Sequence, residues 1–257
     1  MKYITISRDT IDSEHICCAL GNDKENTERS LIKKQWMKDR FDEGLIFRRL
    51  DDRGKMFIEY MPIETVWKPV HGRDYFFIHC LWVSWKFKWQ GIAKELLEGC
   101  IEEAKQAGKH GVAVITSTKV QPFLTDKKFY EHFGFRVVDT APPYFDLLAL
   151  SFDSWGSTPT FDPHLKSGKY EEGDWLAFVY THQCPFMEGF VQKLALIAES
   201  LNIPTHIHHL TSREEVMQYG SPFGTLGIYY NGDFLTHSLM PESQFRKWLP
   251  NAIKQSS

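Results

Sequence analysis

Between positions 81 and 97 the chain reads LWVSWKFKWQGIAKELL: an apolar run, a short lysine-bearing turn, then a helical pattern opening near Gly91. A helix that starts so soon after a strand leaves its first N–H groups unpaired, and those groups with the helix dipole suit phosphate oxygens. Gly91 and Ala93 let the backbone come close to a ligand, and Lys86, Lys88 and Lys94 bring positive charge to the same end. The turn by itself reads equally well as a tight connection with solvated lysines. A second candidate is Cys184 in His182, Gln183, Cys184, Pro185, Phe186, Met187, where a cysteine ahead of a helix is expected to have its thiolate stabilised. His206 and His208 share one face of a strand as zinc ligands can, but no neighbouring cysteine or carboxylate completes a set, so no metal is expected.

These groups need elements to hold them. YFFIHCLWV (residues 75–83) is nearly all apolar, as a buried central strand is. The helix after it puts Ile92, Leu96, Leu97, Cys100, Ile101 and Ala104 on one face, with Gly108 as its stop. Upstream, residues 2–6 alternate as a strand, and residues 27–43 carry Leu31, Ile32, Trp36 and Phe41 at helical spacing. LIFRRL and KMFIEYM flank DDRGK as a hairpin. Downstream, GVAVITS is a strand, TDKKFYEHFGF a short helix running into a strand, and YFDLLALSF a further strand. From residue 174 the order is βαβαββα, with a helix opened by Pro185, a capping box at Ser212 and Glu215, and a hairpin through Asn231 and Gly232. Residues 153–173, rich in Ser, Gly, Pro and Thr, read as a linker whose Trp and Phe pack on a surface. Three regions follow: 1–152, 153–173 and 174–257.

At 257 residues, with 42% hydrophobic and 25% charged residues, the chain is that of a globular protein of two domains or one large one. No stretch reaches the ~20 apolar residues of a membrane span, and MKYITISRDTIDSEH has no apolar core of a secretion signal, so a cytoplasmic protein is expected. A net charge of −3 with no basic excess in either half argues against a nucleic-acid partner. Five cysteines without a CxxC pair argue against a disulfide framework or a structural zinc site, and the adjacent Cys17 and Cys18 read as small buried residues.

The sequence resembles the GNAT-type N-acetyltransferases. Their Gln/Arg-x-x-Gly-x-Gly/Ala signature stands here as Lys88, Trp89, Gln90, Gly91, Ile92, Ala93, with Lys in place of the first Gln or Arg. KKFYEHFGF, residues 127–135, resembles the family's second motif. The resemblance covers about residues 1–150. It implies a mixed α/β fold with a splayed central sheet and an acyl-CoA, acetyl-CoA above all, held where the fourth and fifth strands part. It implies that backbone groups of Leu81, Trp82 and Val83 pair with the pantetheine arm and that residues 88–94, Lys94 included, hold the pyrophosphate. It implies that Tyr130 protonates the leaving thiolate, for which a phenol is chemically apt, and that strand N–H groups hold the oxyanion.

An amine must lose a proton during acyl transfer. Glu59, Glu64 and His79 are the candidates to accept it; Glu59, if buried, would have a raised pKa, and His79 titrates near neutrality. Glu59 and His79 are the pair expected to act, with Tyr60 and Trp67 lining an acceptor pocket. The βαβαββα order and the Cys-Pro before its first helix resemble thioredoxin-like domains. Met187 stands at the usual resolving cysteine, however, and Gly224 where a cis-proline is normal, so a dithiol reaction is not expected. A GNAT domain joined to such a tail is similar to the bacterial YoaP-like proteins. The expectation is an acetyl-CoA-dependent N-acetyltransferase acting on an amine of a small molecule or a protein. The tail would cover the acceptor side, bind a partner or form a homodimer. The rivals are an acyl-CoA sensor without turnover and a monothiol protein acting through Cys184.

Overall fold

The computed structural model describes residues 1–153, 156–171 and 173–255. In chain order the first elements are β1 (Tyr3–Ile6), α1 (Lys24–Phe41), β2 (Ile46–Leu50), β3 (Met56–Pro62), β4 (Val70–His71), β5 (Tyr75–Val83) and α2 (Ile92–Gln106). There follow β6 (Gly111–Ser117), α3 (Lys127–His132), β7 (Arg136–Ala141), β8 (Phe145–Ser151) and β9 (Thr160–Phe161). The last are β10 (Leu176–Tyr180), α4 (Met187–Ser200), β11 (Thr205–His209), α5 (Arg213–Tyr219), β12 (Leu226–Tyr230), β13 (Asp233–Thr236) and α6 (Glu242–Gln255).

Seven strands form one mixed sheet in the order β1-β2-β3-β5-β6-β8-β7. Only β5 and β6 run parallel in it. A parallel pair needs a crossover, and α2 supplies it. Ile92, Leu96, Leu97, Cys100 and Ala104 face the sheet, as their spacing predicts, and pack on Tyr60, Phe76 and Val112. The crossover matters because its first turn follows the end of β5 that parts from β6, which puts the start of α2 beside the place where the strands diverge. A second sheet, β11-β10-β12-β13, keeps the βαβαββα order read from the sequence, and Ser212 and Glu215 close the expected capping box on α5. The helix at Cys184 starts later than expected, at Met187, so Pro185 precedes it.

Residues 153–173 are more than a connection. Thr160 and Phe161 pair with His71 and Val70, and Phe161 and Leu165 are buried. A two-residue strand has no period to read, and its partner lies some ninety positions back in the chain, so composition alone registers a loop. Trp155, expected to pack, lies outside the described residues. One apolar cluster runs from Trp36 and Met37 through Phe47, Phe77 and Phe145 to Ala177, Val179 and Tyr229, joining the two sheets through a shared core. Among the described residues no helix is long and apolar enough to cross a membrane.

Candidate active site

β5 and β6 pair from Tyr75 with Gly111 to Ile78 with Val114, and there the pairing ends, although β5 continues to Val83 and β6 to Ser117. On its other side β5 pairs with β3, and the register jumps: Glu59 faces Cys80, whereas Tyr60 faces Ile78. His79 is thus the extra residue of a bulge. Bulges bend a strand and increase its twist, and this one sits at the residue where β5 leaves β6. A cavity of about 220 Å³ opens in the gap. Leu81, Trp82, Val114, Ile115 and Tyr130 form one part of its wall; Lys33, Glu59, Lys68 and His79 form another.

The turn before α2 has the geometry that phosphate oxygens need. Trp89 and Gly91 take positive φ values of 68° and 77°, and no side chain caps the first turn of α2. A Cβ placed on Gly91 would meet no atom within 4 Å, so open space lies in front of the helix end. Lys88 rests its Nζ 4.3 Å from the Trp85 ring centre, Lys94 lies 3.8 Å from Glu98, and Trp89 is 97% exposed. A pyrophosphate can approach this set of open space, the first N–H groups of α2 and lysines. Along the open edge of β5, the Leu81 carbonyl already accepts from Thr125 Oγ1 at 3.2 Å, so part of the edge expected to pair with a pantetheine arm is taken by the loop before α3.

Tyr130 sits on α3, whose N-terminus is capped by the Asp126 carboxylate accepting from the Lys128 N–H at 3.0 Å. It is buried against Phe129 and Phe135 and reaches the cavity wall. Burial raises its pKa well above the usual phenol range, with Thr125 pulling weakly the other way, so the hydroxyl is a proton donor at every working pH.

The expected base pair needs correction. Glu59 is buried, and burial by itself pushes its carboxyl up. The Lys33 ammonium at 2.5 Å and neighbouring His79 outweigh that and bring it down to about 2. The expectation of a raised value ignored a counter-ion supplied from α1. His79 is buried as well. Desolvation takes it down to about 4 against the pull of Glu59, with Lys68 and Lys33 also opposing protonation. Its Nε2 accepts the Trp67 N–H at 3.4 Å, which leaves the proton on Nδ1, 3.3 Å from Glu59 Oε1 but poorly aligned with it. An ionised carboxylate and a neutral imidazole are both weak bases here.

Glu64 accepts from the Asp74 N–H. Tyr60 and Trp67, expected in the acceptor pocket, do not line it: Tyr60 donates to Glu103 at 2.7 Å and Trp67 to Glu43 at 3.1 Å. The alternation of β3 sends Tyr60 to the α2 face and Glu59 to the other.

Loops beside the second sheet, between β10 and α4 and between α5 and β12, complete the wall. Gln183 donates its amide to Glu59 Oε1 at 3.3 Å, Lys68 donates to the Phe223 carbonyl at 2.5 Å, and Cys184, Phe186 and Phe223 border the same cavity. Cys184 is pushed up by burial, more than the Phe186 N–H and Lys33 pull it down, so the expected stabilised thiolate is not what this site makes. Lys33, Lys68 and Gln183 carry much of the site; Gln183 stands in the Cys184 motif without a role of its own there, and Lys33 and Lys68 belong to no motif. Only Lys33 had a signal: it lies three and four positions before Trp36 and Met37, on the face of α1 that turns inward.

The family model described as Acetyltransferase (GNAT) family matches residues 9–135, and the one described as YoaP-like matches residues 204–247. The chain is 39% identical over 249 residues to the uncharacterized N-acetyltransferase YoaP of Bacillus subtilis (strain 168), covering 97% of this chain and 98% of that one. Solved structures similar to part of it include the PaiA N-acetyltransferase of Thermoplasma acidophilum in complex with coenzyme A. That likeness has a TM-score of 0.42 and 14% identity, over 59% of this chain and 100% of that one. A GNAT family acetyltransferase of Brucella melitensis in complex with acetyl-CoA has a TM-score of 0.39 and 15% identity, over 63% of this chain and 92% of that one. With both motifs in place and a relative matched from end to end, the chain belongs to the GNAT family of acetyltransferases and, within it, to the YoaP-like proteins.

Proposed function

We propose that the protein transfers an acetyl group from acetyl-CoA to an amine by direct attack in the cavity between β5 and β6. The observation that carries this reading is one wall shared by two features: the unpaired ends of β5 and β6, which lead from the phosphate-type turn, and the protonated Tyr130. Acetyl-CoA, when bound, supplies the activated acyl group. The turn at residues 88–94 holds negative charge through N–H groups and lysines. The edge of β5 orients what lies in the gap, and the apolar walls keep water from it. Tyr130 gives its proton to the departing sulfur, and the proton shed by the attacking nitrogen restores the phenol. The buried Lys33–Glu59 ion pair, with neutral His79 beside it, shapes the acceptor wall. A strong base is not needed of them if the amine enters as its free base. The βαβαββα order and the place of Cys184 before α4 support the thioredoxin-like reading of residues 174–257, used here as a cover for the acceptor side.

The test is acceptor-dependent release of free thiol from acetyl-CoA over a panel of amines, with Tyr130→Phe beside the wild type. The expected result is release only with certain amines, and in Tyr130→Phe a kcat lower by roughly 10²-fold or more with acetyl-CoA affinity kept. Full activity in Tyr130→Phe would remove it from the chemistry.

A further inference from the structure

Three lysines border the cavity, Lys33, Lys55 and Lys68, against a single carboxylate, Glu59. Lys33 is already paired with that carboxylate. Lys68 is not: it is 4% exposed, and among the described residues no carboxylate lies within ion-pairing distance of it. Its ammonium donates to the Phe223 carbonyl at 2.5 Å and lies 5.3 Å from the Phe223 ring centre, with Cys80, Glu59 and Cys184 near enough to favour its charge without pairing with it. Burying an unpaired charge costs several kcal/mol, and desolvation shows that cost by pushing Lys68 down to about 8, which still leaves it charged at neutral pH.

The chain also makes room for it. Gly224 takes φ +82°, and a Cβ there would lie 2.2 Å from Lys68 Cδ and 2.9 Å from its Nζ. The loop is held by Ser221, which accepts from the Gly224 N–H and donates to the Leu226 carbonyl at 2.8 Å. A buried cation without a paired carboxylate, in a fitted slot on the wall of a largely apolar cavity that includes Phe57, Phe77, Phe123, Phe186 and Phe223, points to an anionic partner that arrives with the ligand.

We propose that the acceptor is a free amino acid with an apolar or aromatic side chain, its carboxylate paired with Lys68 and its side chain held by the phenylalanines. This rests on the transferase reading above and specifies the acceptor for it. The walls suit an apolar body, the cavity volume suits a small molecule, and the cation accounts for the carboxylate. The loop of residues 221–225, from the second sheet, is then a specificity element for chemistry done on the first.

The experiment compares L-phenylalanine, L-leucine and L-tryptophan with the amines made by removing their carboxylate. Binding is read by calorimetry and turnover by thiol release, in wild type, Lys68→Met and Lys68→Arg. The expected result is that wild type prefers at least one of these amino acids over its decarboxylated amine by about 10²-fold, the usual effect of leaving a buried charge unpaired. Lys68→Met, similar in length and free of the burial cost, should bring that ratio close to one, and Lys68→Arg should keep part of it. A wild type that binds none of the three, or prefers the decarboxylated amines, overturns the proposal, as does an unchanged ratio in a folded Lys68→Met. Acetyl-CoA binding measured separately distinguishes the two failures, because its loss would remove the transferase reading while the calorimetric comparison still reads the Lys68 slot.

Discussion

Glu59 and His79 touch, and each changes the other's chemistry. The folded pKa of Glu59, about 2, lies below its ordinary 4.5, so its contribution to stability is complete above pH 4.5 and is lost as pH falls through about 2. His79, brought from 6.5 down to about 4, must charge on unfolding, so it too removes stability as pH falls from about 6.5 towards 4. Lys68 behaves in the opposite range. The unfolded chain holds its proton up to about 10.5 and the folded one only to about 8, so its contribution rises as pH climbs between those values. Glu59→Gln leaves Lys33 buried without a counter-ion and should cost about 3–5 kcal/mol. Urea unfolding at pH 7 and pH 3.5 reads it: the variant should be far less stable at neutral pH and less sensitive to acid. Equal stability at pH 7 would show that Lys33 finds another partner. The sequence displayed Glu59 amid apolar neighbours, and its burial was legible there. Its ionisation was not, because the ammonium comes from a helix 26 positions upstream.

At the scale of elements, periodicity carried far. The strand at residues 75–83, the face of α2 and the hairpin of β2 with β3 all follow from apolar spacing and stand where it puts them. What periodicity could not give is register: a bulge at His79 adds no residue type that marks it, yet it sits where the pairing with β6 ends and the cavity begins. Nor does spacing disclose loops that meet across the chain, as Lys68 meets Gly224. Gly224→Ala tests that meeting. A Cβ at φ +82° in contact with Lys68 should cost about 1–2 kcal/mol in backbone strain and displace the ammonium. KM for the acceptor should rise several-fold while the affinity for acetyl-CoA stays. Unchanged acceptor kinetics would mean that Lys68 moves without consequence.

Over the whole molecule, the two sheets are coupled by more than a tether. The apolar cluster crosses between them, and polar bonds accompany it: Gln183 to Glu59, Tyr144 with His237 at 2.9 Å, and Lys193 to Glu25 at 3.0 Å. A change in composition suggested a linker, whereas burial of Phe161 and Leu165 makes that stretch part of the packing. Unfolding should accordingly be one cooperative transition, with far-UV circular dichroism and tryptophan fluorescence coincident in denaturant. Two separated transitions would mean that the shared core contributes little. Phe186→Ala, which removes a ring from the cavity wall just before α4, should raise acceptor KM with little change in acetyl-CoA binding.

The most direct measurement is calorimetric titration of acetyl-CoA into the wild type, Lys88→Glu and Gly91→Glu. Gly91→Glu fills the open space before α2 with a negative side chain at a positive φ, and Lys88→Glu reverses a charge without that strain. Micromolar binding to the wild type, lost in Gly91→Glu and weakened in Lys88→Glu with circular dichroism unchanged, is the predicted result. Absence of binding to the wild type, or equal binding by all three, would contradict an acyl donor held at this turn.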